Sequence, residues 1–321
     1  MGKTVGERYS LNEPLGDGPL GEAWRGEARG GEGFTRAVVV VDLATELATS
    51  NGFVDTLMVQ GGALAERPHP HLEGILDVVR EGDHAYLVVE ATDGPTLKAW
   101  VEAFHARGEP APWGQLLSIA VDVLYALHGL HGRPKPLAHG GVDTRSVRLD
   151  RSGVPVLTRF GVAPACEAGG IEAERLYVRT AHHAVATPMA DVFAMGLLLY
   201  TVLAGSSDTA LLPDDLRARL DAGKPVDLKL IRDDIPPVVL GLVDRAFQSD
   251  PSRRFDSALA MARALELVLH TRPEILDAPA LAKQIEELVP KQRARPKLGL
   301  RSAETDQLDL AELQRLSIPD E

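Results

Sequence analysis

The sequence predicts an α+β protein of two lobes, a small antiparallel β-rich lobe over residues 1–91 and a larger, mainly helical lobe over 92–270. Three observations predict it. The first ninety residues carry short β-branched runs separated by glycine-containing turns, the densest being AVVVV at 37–41. A glycine-rich turn at 16–21 is followed by another strand rather than by a long helix, which separates it from a dinucleotide-binding loop. After residue 97, apolar side chains recur every three to four positions, as in WGQLLSIAVDVLYALHGL at 113–130.

In order, LGDGPLGEAWRGEARG (15–30) reads as two strands joined by a turn in which Gly16, Gly18 and Gly21 form G-x-G-x-x-G. The run 37–41 reads as a strand buried on both faces. FVDTLMVQGGALAE (53–66) has helical spacing and stops before Pro68; Gly61 and Gly62 cost about 1 kcal/mol each relative to Ala, so a frayed or kinked helix is expected. Two strands follow around the turn REGD, then a hinge near Glu90 to Thr92 and a helix opening at DGPTL. His69 and His71 have no cysteine or carboxylate at ligand spacing and read as part of a turn. His128 and His131 close the helix 113–130, where they favour its dipole. VFAMGLLLYTVLAG (192–205) is too short to cross roughly 30 Å of hydrocarbon and reads as a buried helix.

The 321 residues, 45% apolar, suffice for one large or two ordinary domains. A net charge of -12 repels nucleic acid and anionic membranes, so neither is an expected partner. The single cysteine, Cys166, forms no internal disulfide and reads as a small residue in a loop. MGKTVGERYS lacks the apolar core of a signal peptide, and a cytoplasmic location is expected.

The stretch HGGVDTRSVRLDRSGVPVLTRFG (139–161) resembles the catalytic loop, hairpin and metal-binding turn of Ser/Thr protein kinases, H-R-D-x-x-x-x-N followed by D-F-G. The chain is similar, from about Glu7 to Leu269, to the bacterial eukaryotic-like (Hanks-type) members of that family. The resemblance implies that Gly141 stands at the proton-accepting aspartate, Ser146 at the metal-binding asparagine and Arg159 at the metal-binding aspartate. It also places Val41 at the phosphate-gripping lysine and Gln60 at the glutamate that pairs with it. A vestigial nucleotide cleft is implied at Gly16, Gly18, Gly21, Val39, Val89, Ala91 and Arg148, with Val39 in the roof over adenine, Val89 as gatekeeper and Arg148 in the floor. Leu64, Leu76, His139 and Phe160 would form the apolar column joining the lobes above Asp191.

The activation-segment equivalent, 162–190, has no P-E; Tyr177 to Ala181 is its nearest match, and His182 and His183 fall within it. Arg254 in DPSRRF matches the arginine that pairs with the missing glutamate, with Glu172 or Glu174 as substitute acceptors. Residues 273–290 read as an amphipathic helix packed through Leu281, Ile285 and Leu288; 291–301 as a solvated basic linker; and the remaining tail as an acidic helix spaced by Leu308, Leu310, Leu313 and Leu316. Thr305 is a candidate phosphorylation site.

The expected function is therefore that of a pseudokinase: a scaffold or allosteric regulator without phosphoryl transfer, binding protein partners through 162–190 and the tail 291–321. No cofactor and no metal site are expected. The alternatives are a nucleotide sensor with weak, metal-independent binding, or a noncanonical nucleotide-dependent transferase.

Overall fold

The computed structural model describes residues 3–290, apart from 173–175, 177–185, 209–210, 213, 215–217, 220–226, 247, 249–250 and 274–275. Glu174, the stretch 177–183, the linker 291–301, the leucine-spaced helix and Thr305 therefore lie outside the described residues. The described residues group as one compact unit.

Six strands form one antiparallel sheet: β1 (Thr4–Val5), β2 (Tyr9–Gly18), β3 (Gly21–Arg29), β4 (Thr35–Leu43), β5 (Ile75–Glu81) and β6 (His84–Glu90), in the order β1-β2-β3-β4-β6-β5. At Gly21 (φ 137°) an added Cβ would collide with the Asp42 carbonyl oxygen, so only glycine lets β3 start so close to the end of β4. The valine run of β4 alternates as a strand must. Val38 and Val40 enter a small core with Val5, Tyr9, Leu11, Tyr86 and Val88, while Val39 and Val41 pack on the main core. Residues of β1 and the start of β2 thus cover the outer face of the sheet.

The short helix α1 (Thr45–Ala48) precedes α2 (Asn51–Ala65), which Ser50 caps by accepting from the Phe53 N–H. The expected fraying or kink is not found, and α2 runs unbroken through both glycines. A Cβ on Gly61 would lie 2.8 Å from Ile75 Cγ2, so this glycine is where the helix meets the sheet. Leu76 also departs from expectation. A register shift between Ile75 and Asp77 turns Leu76 to the outer small core, and Ile75 faces the main core.

The helical lobe comprises α3 (Leu97–His105), α4 (Trp113–His131), the hairpin β7 (Val147–Leu149) and β8 (Pro155–Leu157), α5 (Val162–Gly169), α6 (Pro188–Leu203), α7 (Pro237–Ala246), α8 (Ala258–Leu269) and α9 (Ala278–Leu288). Helix α6 is buried nearly all round, which explains its uniformly apolar sequence. Helix α9 starts later than expected because Asp277 caps it, and it buries Leu281 and Ile285. Among the described residues no helix is long and apolar enough to cross a membrane.

Two expectations about the segment after Gly161 are corrected. Cys166 lies in a helix and is buried, not in a loop. Residues 162–169, read as a partner-binding stretch, are folded against α2 of the same chain, with Val162, Ala163, Ala165 and Cys166 inside the core. The approach is so close that a Cβ on Gly52 would collide with the Ala168 carbonyl oxygen. Apolar side chains at 162, 163, 165 and 166 can be buried on one helical face, and that burial outweighs exposure to a partner.

Candidate functional site

Asp191, fully buried in the first turn of α6, organises the site. Its carboxylate accepts from the backbone N–H of His139 (2.8 Å), from that of Gly140 (2.7 Å) and from His131 Nε2 (2.9 Å). The role of His131 is missed in the sequence, where the residue reads only as a helix end; it lies sixty positions from Asp191. The His139 ring donates from Nε2 to the Thr158 carbonyl (2.9 Å) and accepts the Gly141 N–H on Nδ1 (3.2 Å). Burial pushes its imidazole below the usual histidine range, so the ring is neutral and structural.

The loop from 139 to 146 is closed on its own groups. Gly141 has no side chain to accept a proton. The Ser146 hydroxyl accepts the Asp143 N–H (2.8 Å) and donates to the Asp143 carbonyl (3.0 Å). Asp143 Oδ1 in turn accepts the N–H groups of Arg145 (2.9 Å) and Ser146 (2.6 Å), while its Oδ2 is buried with no hydrogen-bond partner. The Thr144 hydroxyl donates to the Ser207 carbonyl (2.6 Å), and Arg145 pairs with Asp208.

Arg159 adopts a left-handed backbone (φ 65°), sparsely populated by residues with side chains. Its guanidinium is turned toward the segment beyond α5 and donates to the Leu176 carbonyl (3.1 Å). Desolvation lowers its pKa, opposed by the facing carboxylates of Asp143 and Glu73. Its N–H meets the Glu73 carboxylate (3.4 Å). Glu73 was missed in the sequence, where no motif marks it. Glu73 is only partly covered, yet desolvation pushes its carboxyl up to about 7 despite Arg159 and Arg148 nearby.

The cleft positions come together on the sheet and the β7 hairpin. Val41 sits between Ala23 and Leu87, and Val39 between Arg25 and Val89. Val89 is buried, and Ala91 is exposed just after β6. Gly16 (φ 105°) and Gly18 lie at the end of β2, with Gly21 opening β3. Arg148 donates to the Gly94 carbonyl (2.7 Å) and faces Glu73. Gln60 lies beside Gly161, its Oε1 buried without a hydrogen-bond partner. The rings of His139 and Phe160 stand 6.4 Å apart, and Phe160 shares the main core with Leu64 and Ile75. Arg254 donates to the Gln248 carbonyl and lies 5.2 Å from the Phe193 ring centre.

Magnesium, which the family's chemistry uses, does not fit these residues. The position of its carboxylate holds a cation, and the hydroxyl at the asparagine position is committed to Asp143. Among the described residues, no three His, Cys, Asp or Glu are grouped to hold a metal ion.

Comparisons agree with this architecture. Residues 9–258 match the family model described as protein tyrosine and serine/threonine kinase. Serine/threonine-protein kinase PkaA of Streptomyces coelicolor is 26% identical over 291 residues, covering 83% of this chain and 51% of that protein. PknL of Mycobacterium tuberculosis is 27% identical over 274 residues, covering 81% and 65%. A probable serine/threonine-protein kinase of Clostridium perfringens is 24% identical over 280 residues, covering 84% and 39%. The chain thus spans about two fifths to two thirds of these relatives. In fold, it is similar to the crystal structure of the Mycobacterium tuberculosis PknI kinase domain, with a TM-score of 0.63 at 22% identity over 84% of this chain and 98% of that one. By its loop, its Asp191 hub and the match over 9–258, the chain belongs to the protein tyrosine and serine/threonine kinase family.

Proposed function

We propose that this chain is a catalytically inactive member of its family, a pseudokinase in the cytoplasm that acts as a scaffold or allosteric regulator of protein partners. One observation carries the reading: Arg159, which the resemblance aligns with the metal-binding carboxylate, is a cation whose guanidinium donates to the Leu176 carbonyl. Phosphoryl transfer depends almost wholly on positioning and on cations that neutralise the moving charge. Loss of a single stabilising group of this kind costs about 10²–10³-fold in rate. Here four are replaced, by Val41, Gly141, Ser146 and Arg159.

The test is transfer of radiolabelled phosphate from ATP to the chain itself and to a generic acceptor protein. The expected result is no incorporation above a heat-treated control; incorporation that disappears on Asp143→Asn would overturn the reading. A pull-down with the full chain and with residues 1–290 tests partner binding and the contribution of 291–321.

A nucleotide sensor is a second reading, favoured by the retained Gly16, Gly18 and Gly21 turn. Thermal shifts with ATP, with and without Mg²⁺, separate the two, since only a binder is stabilised.

A further inference from the structure

Helix α2 and helix α4 end near one another, and each leaves its last carbonyls without intrahelical partners. One side chain serves both. Arg133, only 9% exposed, lies just past the end of α4 and is flanked by Gly132 and Pro134. Its Nε donates to the Gly129 carbonyl in the last turn of α4 (3.2 Å). One terminal nitrogen donates to the Ala63 carbonyl in the last turn of α2, and the other to the Arg67 carbonyl just beyond α2 (2.7 Å). The guanidinium is therefore shared among three carbonyls on two elements, and its charge faces two helix C-termini at once, where a cation is favoured. Packing around it is tight: the His69 ring comes within 3.2 Å of where a Gly129 Cβ would stand, bringing the chain after α2 onto α4.

We propose that Arg133 is a positioning residue that fastens α2 to the helical lobe, fixing the orientation of the helix that carries Gln60 without any bound nucleotide. The geometry requires a planar fork. A lysine ammonium keeps the charge but has no rigid fork to reach three carbonyls, and methionine keeps only the bulk. The inference is independent of whether the chain transfers phosphate.

The experiment is amide hydrogen exchange on the full chain, comparing Arg133→Met and Arg133→Lys with the unchanged protein. Expected is about tenfold or faster exchange in residues 51–74 in both variants, with α6 and α8 unchanged, the pattern of a local opening. Unchanged exchange at 51–74 in both variants would overturn the proposal. So would a uniform rise across the chain, or failure of both variants to fold, since either makes Arg133 a general stabiliser. If only Arg133→Met fails to fold, Arg133→Lys decides by the same two regions.

Discussion

The guanidinium of Arg159 donates to the carbonyl of Leu176 at 3.1 Å, tying the residue before Phe160 to the chain seventeen positions later. The resemblance aligns this position with a metal-binding carboxylate; here the side chain holds the protein's own backbone. That bond commits one nitrogen of the guanidinium to the protein's own backbone.

Restoring the carboxylate alone should not restore chemistry. Arg159→Asp is expected to show no phosphate transfer, because Val41, Gly141 and Ser146 still lack the other groups. It places a third acid beside Glu73 and Asp143, so a loss of about 2–4 kcal/mol is expected in urea unfolding. Wild-type stability in this variant would show that Arg159 contributes little to the fold.

Stability should depend on pH through Glu73. Its carboxyl is pushed up from an ordinary 4.5 to about 7, mainly by desolvation, with Arg148, Arg159 and Glu90 facing it. A raised carboxyl favours the protonated form in the folded state. Its contribution is full below about 4.5 and is lost as the pH climbs through about 7, a change of roughly 3 kcal/mol. Glu73→Gln should flatten that part of the profile in denaturant titrations at pH 5 to 8, and a profile identical to wild type would contradict the assignment.

The adjacent glycines of α2 should respond in opposite directions. Gly62 is exposed, with nothing near an added Cβ, so Gly62→Ala is expected to stabilise by about 0.5–1 kcal/mol. Gly61→Ala must push Ile75 Cγ2 from 2.8 Å, and a loss of about 1–3 kcal/mol is expected. Melting temperatures of the two variants check the contrast; equal shifts would remove the close-approach argument.

Asp191→Ala should be among the most damaging single changes. It strands the N–H groups of His139 and Gly140 and the Nε2 of His131 around a buried void. A loss of about 3–5 kcal/mol is expected, with Asp191→Asn milder because one oxygen still accepts. Chemical denaturation of both variants measures the difference.

The sequence by itself determined the family, the β-rich and helical halves with their main strands and helices, and which side chains stand at the motif positions. Those follow from side-chain identity and local period: a glycine at 141 has no side chain in any fold, and apolar spacing along 113–130 needs no tertiary partner to read as a helix. Only the tertiary structure decided that Ile75 rather than Leu76 faces the main core, that 162–169 fold onto α2, that His131 serves Asp191, and that Arg133 and Arg159 grip carbonyls. The reason is that a one-residue bulge reverses a strand's faces, and that a long cation's partner is fixed by carbonyls far away in the chain.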